Sequence, residues 1–198
     1  MKKSNFYNPC SVITYMKVVR SPEIALYPNS VVLLTCSHEG TDNIITLAWV
    51  STVCFDPPMI ACAVRDSRYS HDLIENSKEF VINIPTEKIV KETDLCGQVS
   101  GRDTDKFSAC KFTKEKASRV NAPLIGECPV NIECMVTNMI HLGSHDLFIG
   151  EVVAVQVDEA LIHEGKIDYQ KASPIAYARG DYWTLGEMKG TYGFSTSS

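Results

Sequence analysis

A chain of 198 residues, 44% hydrophobic and 22% charged, is long enough to bury a sizeable core in one domain and too apolar for disorder to be its default. The formal net charge of −5 and the absence of a large Lys/Arg cluster argue against a nucleic-acid partner, because neutralising phosphates needs a basic face. No apolar run approaches the roughly 18 residues of a spanning helix, and the opening MKKSNFYNPCSVITYMKVV lacks the apolar core of a secretory signal, so no membrane partner is expected and the cytoplasm is the expected compartment.

Residues 1–30 contain Pro9, Pro22 and Pro28 and a short amphipathic piece around Val12 to Val19, and read as an arm packing on a barrel domain at 31–186, with a small polar tail at 187–198. Val31 to Cys36 is the first strand, joined by the turn His38-Glu39-Gly40-Thr41-Asp42 to a second over Asn43 to Ser51. Asp56-Pro57-Pro58 cannot continue a ladder and forces a turn. The run MIACAV from Met59 to Val64 lacks polar alternation, so it returns as a strand buried on both faces. Ser70 is then the expected N-cap of a short helix with Leu73, Ile74 and Phe80 inward. The helix start, with Arg65, Arg68 and the hydroxyls of Ser67, Tyr69 and Ser70, is a sensible phosphate site; the alternative is a solvated turn with an ordinary cap.

Phe80 to Ile84 is a buried strand stopped by Pro85, and Thr86 caps a helix to about Leu95 with Ile89, Val90 and Leu95 inward. Cys96 to Lys116 is polar and without period, a loop that is functional or mobile. Val130 to His141 is a strand with Ile132, Cys134 and Val136 on one face. Gly143 to Asp146 turns it into Leu147 to Val157, where Gly150 marks a bulge or a close approach. Asp158 to Ser173 is loop-like, and Tyr177 to Leu185 is a last aromatic segment. The class is mainly β: a closed antiparallel β-barrel with a few short helices packed outside.

The chemistry-bearing motifs are sparse. G-x-S-x-G, H-E-x-x-H, Walker and G-x-G-x-x-G patterns are all missing, and His141 and His145 flank a turn, so no metal site is expected. Eight cysteines form no C-x-x-C pair, and Cys36, Cys54, Cys62 and Cys134 sit in apolar strand runs where a thiol is a small hydrophobe; the thiols are expected to be reduced and structural.

Five stretches in order carry a resemblance: Thr46, Ala48, Trp49, Ser51 and Asp56-Pro57-Pro58-Met59 with the Arg-x-x-Tyr-Ser turn; Glu79 to Asn83; Cys96-Gly97 with Ser100 to Phe107; Gly143 to Gly150; and Arg179 to Trp183. Together they resemble the flavin reductase family of FMN-binding split-barrel proteins, most closely its flavoredoxin-like branch. The resemblance implies a six-stranded antiparallel Greek-key FMN-binding split barrel and a homodimer with the flavin near the interface, where Tyr177, Tyr182 and Trp183 are placed unless they belong to the core. It implies Thr46, Leu47, Ala48, Trp49, Ser51, Thr52, Val53 and Cys54 at the flavin ring and ribityl chain, although Trp49, in mid-strand, has a core role as its simplest alternative. Ser67, Arg68 and Ser70 fall at the phosphate, with Lys106 and Arg102 either reaching the phosphate or the incoming nucleotide or standing as solvated charges on a loop. His145 falls beside the flavin, or is a turn histidine bonded to Asp146 or a carbonyl. The implied activity is an oxidoreductase passing electrons from NADH or NADPH through FMN to free flavin or another acceptor. The alternatives are a flavoredoxin-type electron-transfer protein reduced by a partner protein and a non-catalytic flavin store or sensor.

Overall fold

The structure is a computed structural model that describes residues 16–196; Cys10 and the first part of the amphipathic piece at Val12 to Val19 lie outside them. Strands β1 (Val32–His38) and β2 (Thr41–Leu47) form a hairpin whose two turn residues, Glu39 and Gly40, both have positive φ, 49° and 77°. That turn matches the right-handed twist of its strands, and glycine supplies the second position without strain. Next come β3 (Val50–Cys54), the Pro-Pro turn, β4 (Met59–Val64), helix α1 (Tyr69–Ser77) and β5 (Glu79–Asn83). Helices α2 (Val90–Gln98) and α3 (Lys106–Cys110) precede the long hairpin β6 (Val130–His141) and β7 (Asp146–Val157). A last hairpin, β8 (Ile175–Ala178) and β9 (Asp181–Thr184), pairs with the two-residue strand Asn29–Ser30.

Among the described residues, β1 to β7 form one antiparallel sheet in the order β2-β1-β5-β6-β7-β4-β3. Its two edges, β2 and β3, are consecutive in the chain, parted by Ala48 and Trp49 alone, and the Trp49 carbonyl accepts from Ala63 N–H at 3.0 Å. The expected single strand from Asn43 to Ser51 is therefore two. Its break lets one segment run along both edges and close the sheet, which gives the expected six strands when β2 and β3 are counted as one bent strand.

The interior holds Val32, Leu34, Cys36, Ile60, Cys62, Phe80, Ile82, Cys134 and Phe148, while Leu33 and Ile44 face outward into a second cluster with Cys96, Phe107, Phe112 and Ile125. Burial on both faces explains why VVLLTC and MIACAV carry no polar alternation. Gly150 sits at a register shift between β6 and β7, and a Cβ there would run into the Phe80 ring and Cys134. That is the close approach its position in the strand indicates.

Several local expectations are corrected. The N-cap of α1 is Arg68; Ser70 lies inside the helix, buried, and Phe80 belongs to β5 because Lys78 ends the helix in the left-handed region. Thr86 caps a 3₁₀ turn that leads into α2; Ile89 and Leu95 pack, half-buried, against the second cluster as expected, but the fully buried residues of the helix are Thr93 and Cys96. The Cys96 to Lys116 stretch contains α3, capped by Asp105 through the N–H groups of Phe107 and Ser108, with Lys106, Phe107 and Cys110 buried. Asp158 to Ser173 includes a short helix at Tyr169–Ala172 that buries Ala172 with Leu161 and Val130.

Candidate functional site

The N-terminal turn of α1 faces a small cavity of about 140 Å³, lined by Asn43, Ser67, Arg68, Ser70, Gly101 and Arg102 among others. Helix N-termini present unpaired N–H groups and the positive end of the dipole. Arg68 adds an exposed guanidinium at the cap itself. Asn43 Nδ2 donates to Ser70 Oγ at 2.8 Å, so the Ser70 hydroxyl is held as an acceptor on that side and its own proton is left to point elsewhere. A Cβ on Gly101 would collide with the Asn43 amide, which is why the loop can close this tightly over the helix start. Arg102 clamps that loop down: it donates to the Ser67 carbonyl at 3.3 Å and to Asp72 at 3.0 Å and stacks over the Tyr69 ring at 5.0 Å.

Lys106 lines the same cavity but is spent differently. Its Nζ donates to the carbonyls of Ile44 and Cys96, each at 2.7 Å, and burial pushes its pKa below the ordinary lysine value. The expected reach toward an anion is thus not the arrangement here; the ammonium pins β2, α2 and α3 together.

Through Ile45, Arg68 and Gly97 the small cavity continues into a cleft of about 410 Å³. One wall is Thr46, Leu47, Ala48 and Trp49 with Ala63, Arg65 and His145; the other includes Tyr27, Tyr177 and Tyr182. Thr46 gives its hydroxyl to the Thr93 carbonyl, and a Cβ on Gly97 would press on Thr46 at 3.3 Å, so glycine lets α2 approach this wall without displacing Thr46. Trp49 is 37% exposed, with its ring 4.6 Å from the His145 ring; the simple core role does not hold for it, since the strand breaks there and turns the indole out. Tyr177 and Tyr182 meet edge to face at 5.9 Å, and Tyr182 donates to Asp94 at 3.0 Å. Trp183 on the same hairpin is exposed.

His145 Nε2 accepts from Arg65 Nε at 3.3 Å, so its proton sits on Nδ1, which donates to Ser144 Oγ at 2.9 Å. Partial burial and the charges of Arg65 and Arg68 push its pKa below the ordinary histidine value, keeping it neutral. The neighbouring Asp146 is buried and accepts from His71 Nε2 at 2.7 Å and His141 Nδ1 at 2.8 Å, and the His71 bond first of all holds its pKa below the usual carboxylate value. This clamp fixes the start of α1 to the hairpin that carries His145.

Of the expected site residues, Thr46, Leu47, Ala48, Trp49 and His145 line the cleft, Ser67, Ser70 and Lys106 the small cavity, and Arg68 both. Ser51, Thr52, Val53 and Cys54 do not join them. They lie on the edge strand β3, and Ser51 and Val53 line an adjoining apolar groove with Leu26 and Leu147 that shares Ile24, Ala48, Trp49 and Ala63 with the cleft. Sequence reasoning does not single out Asn43, Gly97 and Gly101 as site residues, and it places Arg65 at the helix start where the structure puts it in the cleft wall. The glycines could have been found, since isolated glycines beside polar turns mark close backbone approach.

The comparisons with known proteins agree in direction. Residues 24–186 match the family model described as the flavin reductase like domain. The flavoredoxin from Methanosarcina acetivorans superposes with a TM-score of 0.86 at 32% identity, over 92% of this chain and 100% of that one. An uncharacterised protein of Archaeoglobus fulgidus is 34% identical over 72% of this chain and 80% of its own. The reductase component of a 4-nitrophenol 4-monooxygenase/4-nitrocatechol 2-monooxygenase from Rhodococcus opacus is 23% identical over 91% of this chain and 84% of its own.

Proposed function

The chain belongs to the flavin reductase-like domain family, and from that premise we propose that it binds FMN and passes electrons from NADH or NADPH to free flavin or another acceptor. The observation that carries this reading is the continuity of two unlike compartments, a polar one at a helix N-terminus and a wider, partly aromatic one, joined at Arg68. A phosphate suits the first: the N–H groups of α1, Arg68 and the Asn43-oriented Ser70 hydroxyl supply donors. A planar ring suits the second, between the Thr46 to Trp49 wall and the tyrosines.

Flavin, once bound, supplies the hydride and single-electron chemistry, so the protein needs only to bind, orient and exclude competing reactions. Trp49 and Ala48 shape the ring wall. Neutral His145, fixed by Ser144 and Arg65, offers contact beside the ring without placing a positive charge there, and Arg65 and Arg68 give the cleft mouth the sign that an anionic nucleotide needs. Pairing as a homodimer through the exposed apolar Val53, Phe55 and the adjoining apolar groove is part of the same proposal.

The likeness to a flavoredoxin favours a second reading, an electron-transfer protein reduced by a partner protein. An anaerobic titration with NADH and then NADPH, watching the visible flavin band of the FMN-loaded protein, separates the two. Rapid bleaching by either nucleotide is the expected result; bleaching by dithionite alone would hand the case to the partner-reduced reading, and failure to take up FMN would remove both.

A further inference from the structure

Helices α2 and α3 bring two cysteines 14 positions apart into contact beneath the anion cavity. Cys96 Sγ and Cys110 Sγ are 3.6 Å apart, Cys96 being 1% and Cys110 8% exposed. Their surroundings couple them to the cavity wall. Cys96 lines the cavity and its carbonyl accepts from Lys106 Nζ; Lys106 stands one helical turn before Cys110 on α3, and Gly97 follows Cys96 directly. Of the other buried thiols, Cys36, Cys62 and Cys134 lie in the barrel interior, while Cys128 shares the outer cluster with this pair but its sulfur has no hydrogen-bond contact among the described residues.

We propose that Cys96 and Cys110 are a dithiol that closes reversibly to a disulfide, tethering α2 to α3 and weakening anion binding in the adjoining cavity. The bond stands on the contact between the sulfurs; its effect on FMN rests on the functional reading above. A low-molecular-weight disulfide is the oxidant. The more accessible Cys110, as thiolate, attacks one of its sulfurs, forming a mixed disulfide and expelling one thiolate. Cys96 then attacks the Cys110 sulfur, forms the Cys96–Cys110 bond and expels the second. The two cysteine protons end on the two released thiols, and two electrons pass from the protein to the oxidant.

Closure takes the sulfurs from 3.6 Å to about 2.05 Å, which draws the end of the five-residue α3 toward α2. Lys106 and the Cys96-Gly97 backbone move with it and narrow a cavity of only about 140 Å³. Burial pushes both thiols above the ordinary cysteine pKa, while the Cys96 hydrogen bond and the Lys106 charge pull Cys110 partly back. Oxidation is therefore slow near neutrality and faster as pH rises.

The test is to incubate the reduced full-length protein with oxidised glutathione at pH 8, block free thiols with N-ethylmaleimide, and map the digest by mass. The expected product is a Cys96–Cys110 cross-linked peptide, reversed by dithiothreitol, with FMN affinity lowered about fivefold in the oxidised protein. Cys110→Ser should bind FMN as the reduced protein does and give no response to the oxidant. Glutathione adducts without the cross-link, or a bond between other cysteines, would overturn the dithiol. A cross-link with unchanged FMN affinity would overturn its coupling to the cavity, and a cross-link in a protein that takes up FMN in neither state would sink the flavin reading while leaving the bond intact.

Discussion

Lys106 and Arg68 line the same small cavity, yet their ammonium and guanidinium are used in opposite ways. Lys106 is 5% exposed and its ammonium donates to one backbone carbonyl in each of two other elements. Arg68 is exposed at the cap of α1 with no side-chain partner among the described residues. A buried cation with fixed acceptors holds a fold together, whereas an exposed one at a helix N-terminus is left for a ligand. Charge near a cavity does not by itself identify a binding residue; what else the charge is doing does.

The sharpest way to break this contrast is Lys106→Met. The apolar chain keeps the volume but leaves the Ile44 and Cys96 carbonyls without their donor, at about 3 kcal/mol of unfolding stability after relief of the buried charge. Urea unfolding should show it as a lower midpoint at unchanged slope. A stability close to that of the parent would mean that Lys106 is no staple. Arg68→Ala should do the reverse. Stability should stay within about 0.5 kcal/mol, because the side chain makes no hydrogen bond among the described residues. FMN affinity should fall by about thirtyfold, or about 2 kcal/mol for one charge-assisted contact, as read by titration calorimetry. If Arg68→Ala binds FMN normally, the anion site is not at this helix.

Asn43→Ala lies between the two, since Asn43 is buried but acts on the ligand side by orienting Ser70. A loss of about 1 kcal/mol in stability is expected, with a fall in FMN affinity of about fivefold. Restored affinity in Asn43→Asp would show that the amide donor is not what positions Ser70.

These pairs also show what the chain disclosed in advance. The strands were legible because β-branched and apolar runs broken by Glu39-Gly40, Pro57-Pro58 and Gly143 admit few other readings. The break at Ala48-Trp49 was not, because it answers to closure of the sheet and not to any local residue preference. Ser70 was read as a cap, one good residue type two places too late; its hydroxyl is claimed by Asn43, 27 residues earlier, and that competition is invisible to a local rule. Helix α3 was hidden by its five-residue length, and Lys106 looked like a solvated loop charge until α3 turned it inward. The site residues on β2 and at the start of α1 were found by resemblance to a family, whereas Asn43, Gly97 and Gly101 belong to the site through contacts between distant segments.

The smallest expected effect concerns a third cation, Arg65, which stands between the two cases: exposed like Arg68, yet bonded to a side chain of the site. Its Nε–H favours the neutral form of His145 by giving Nε2 a donor, and its charge disfavours a proton there; with burial and Arg68 these place the His145 pKa below its ordinary value. Arg65→Gln removes the charge, so the His145 midpoint should move up toward the ordinary histidine value, followed by the imidazole resonances in an NMR pH titration. The sign for stability follows. A histidine whose folded pKa is depressed binds fewer protons folded than unfolded, so its contribution falls as pH drops below the unfolded value of about 6.5. Arg65→Gln should soften that loss on the acid side and leave stability near pH 8 unchanged. An unmoved midpoint would show that burial and Arg68 suffice to keep His145 neutral, and Arg65 would then join Arg68 as a cation held for the ligand.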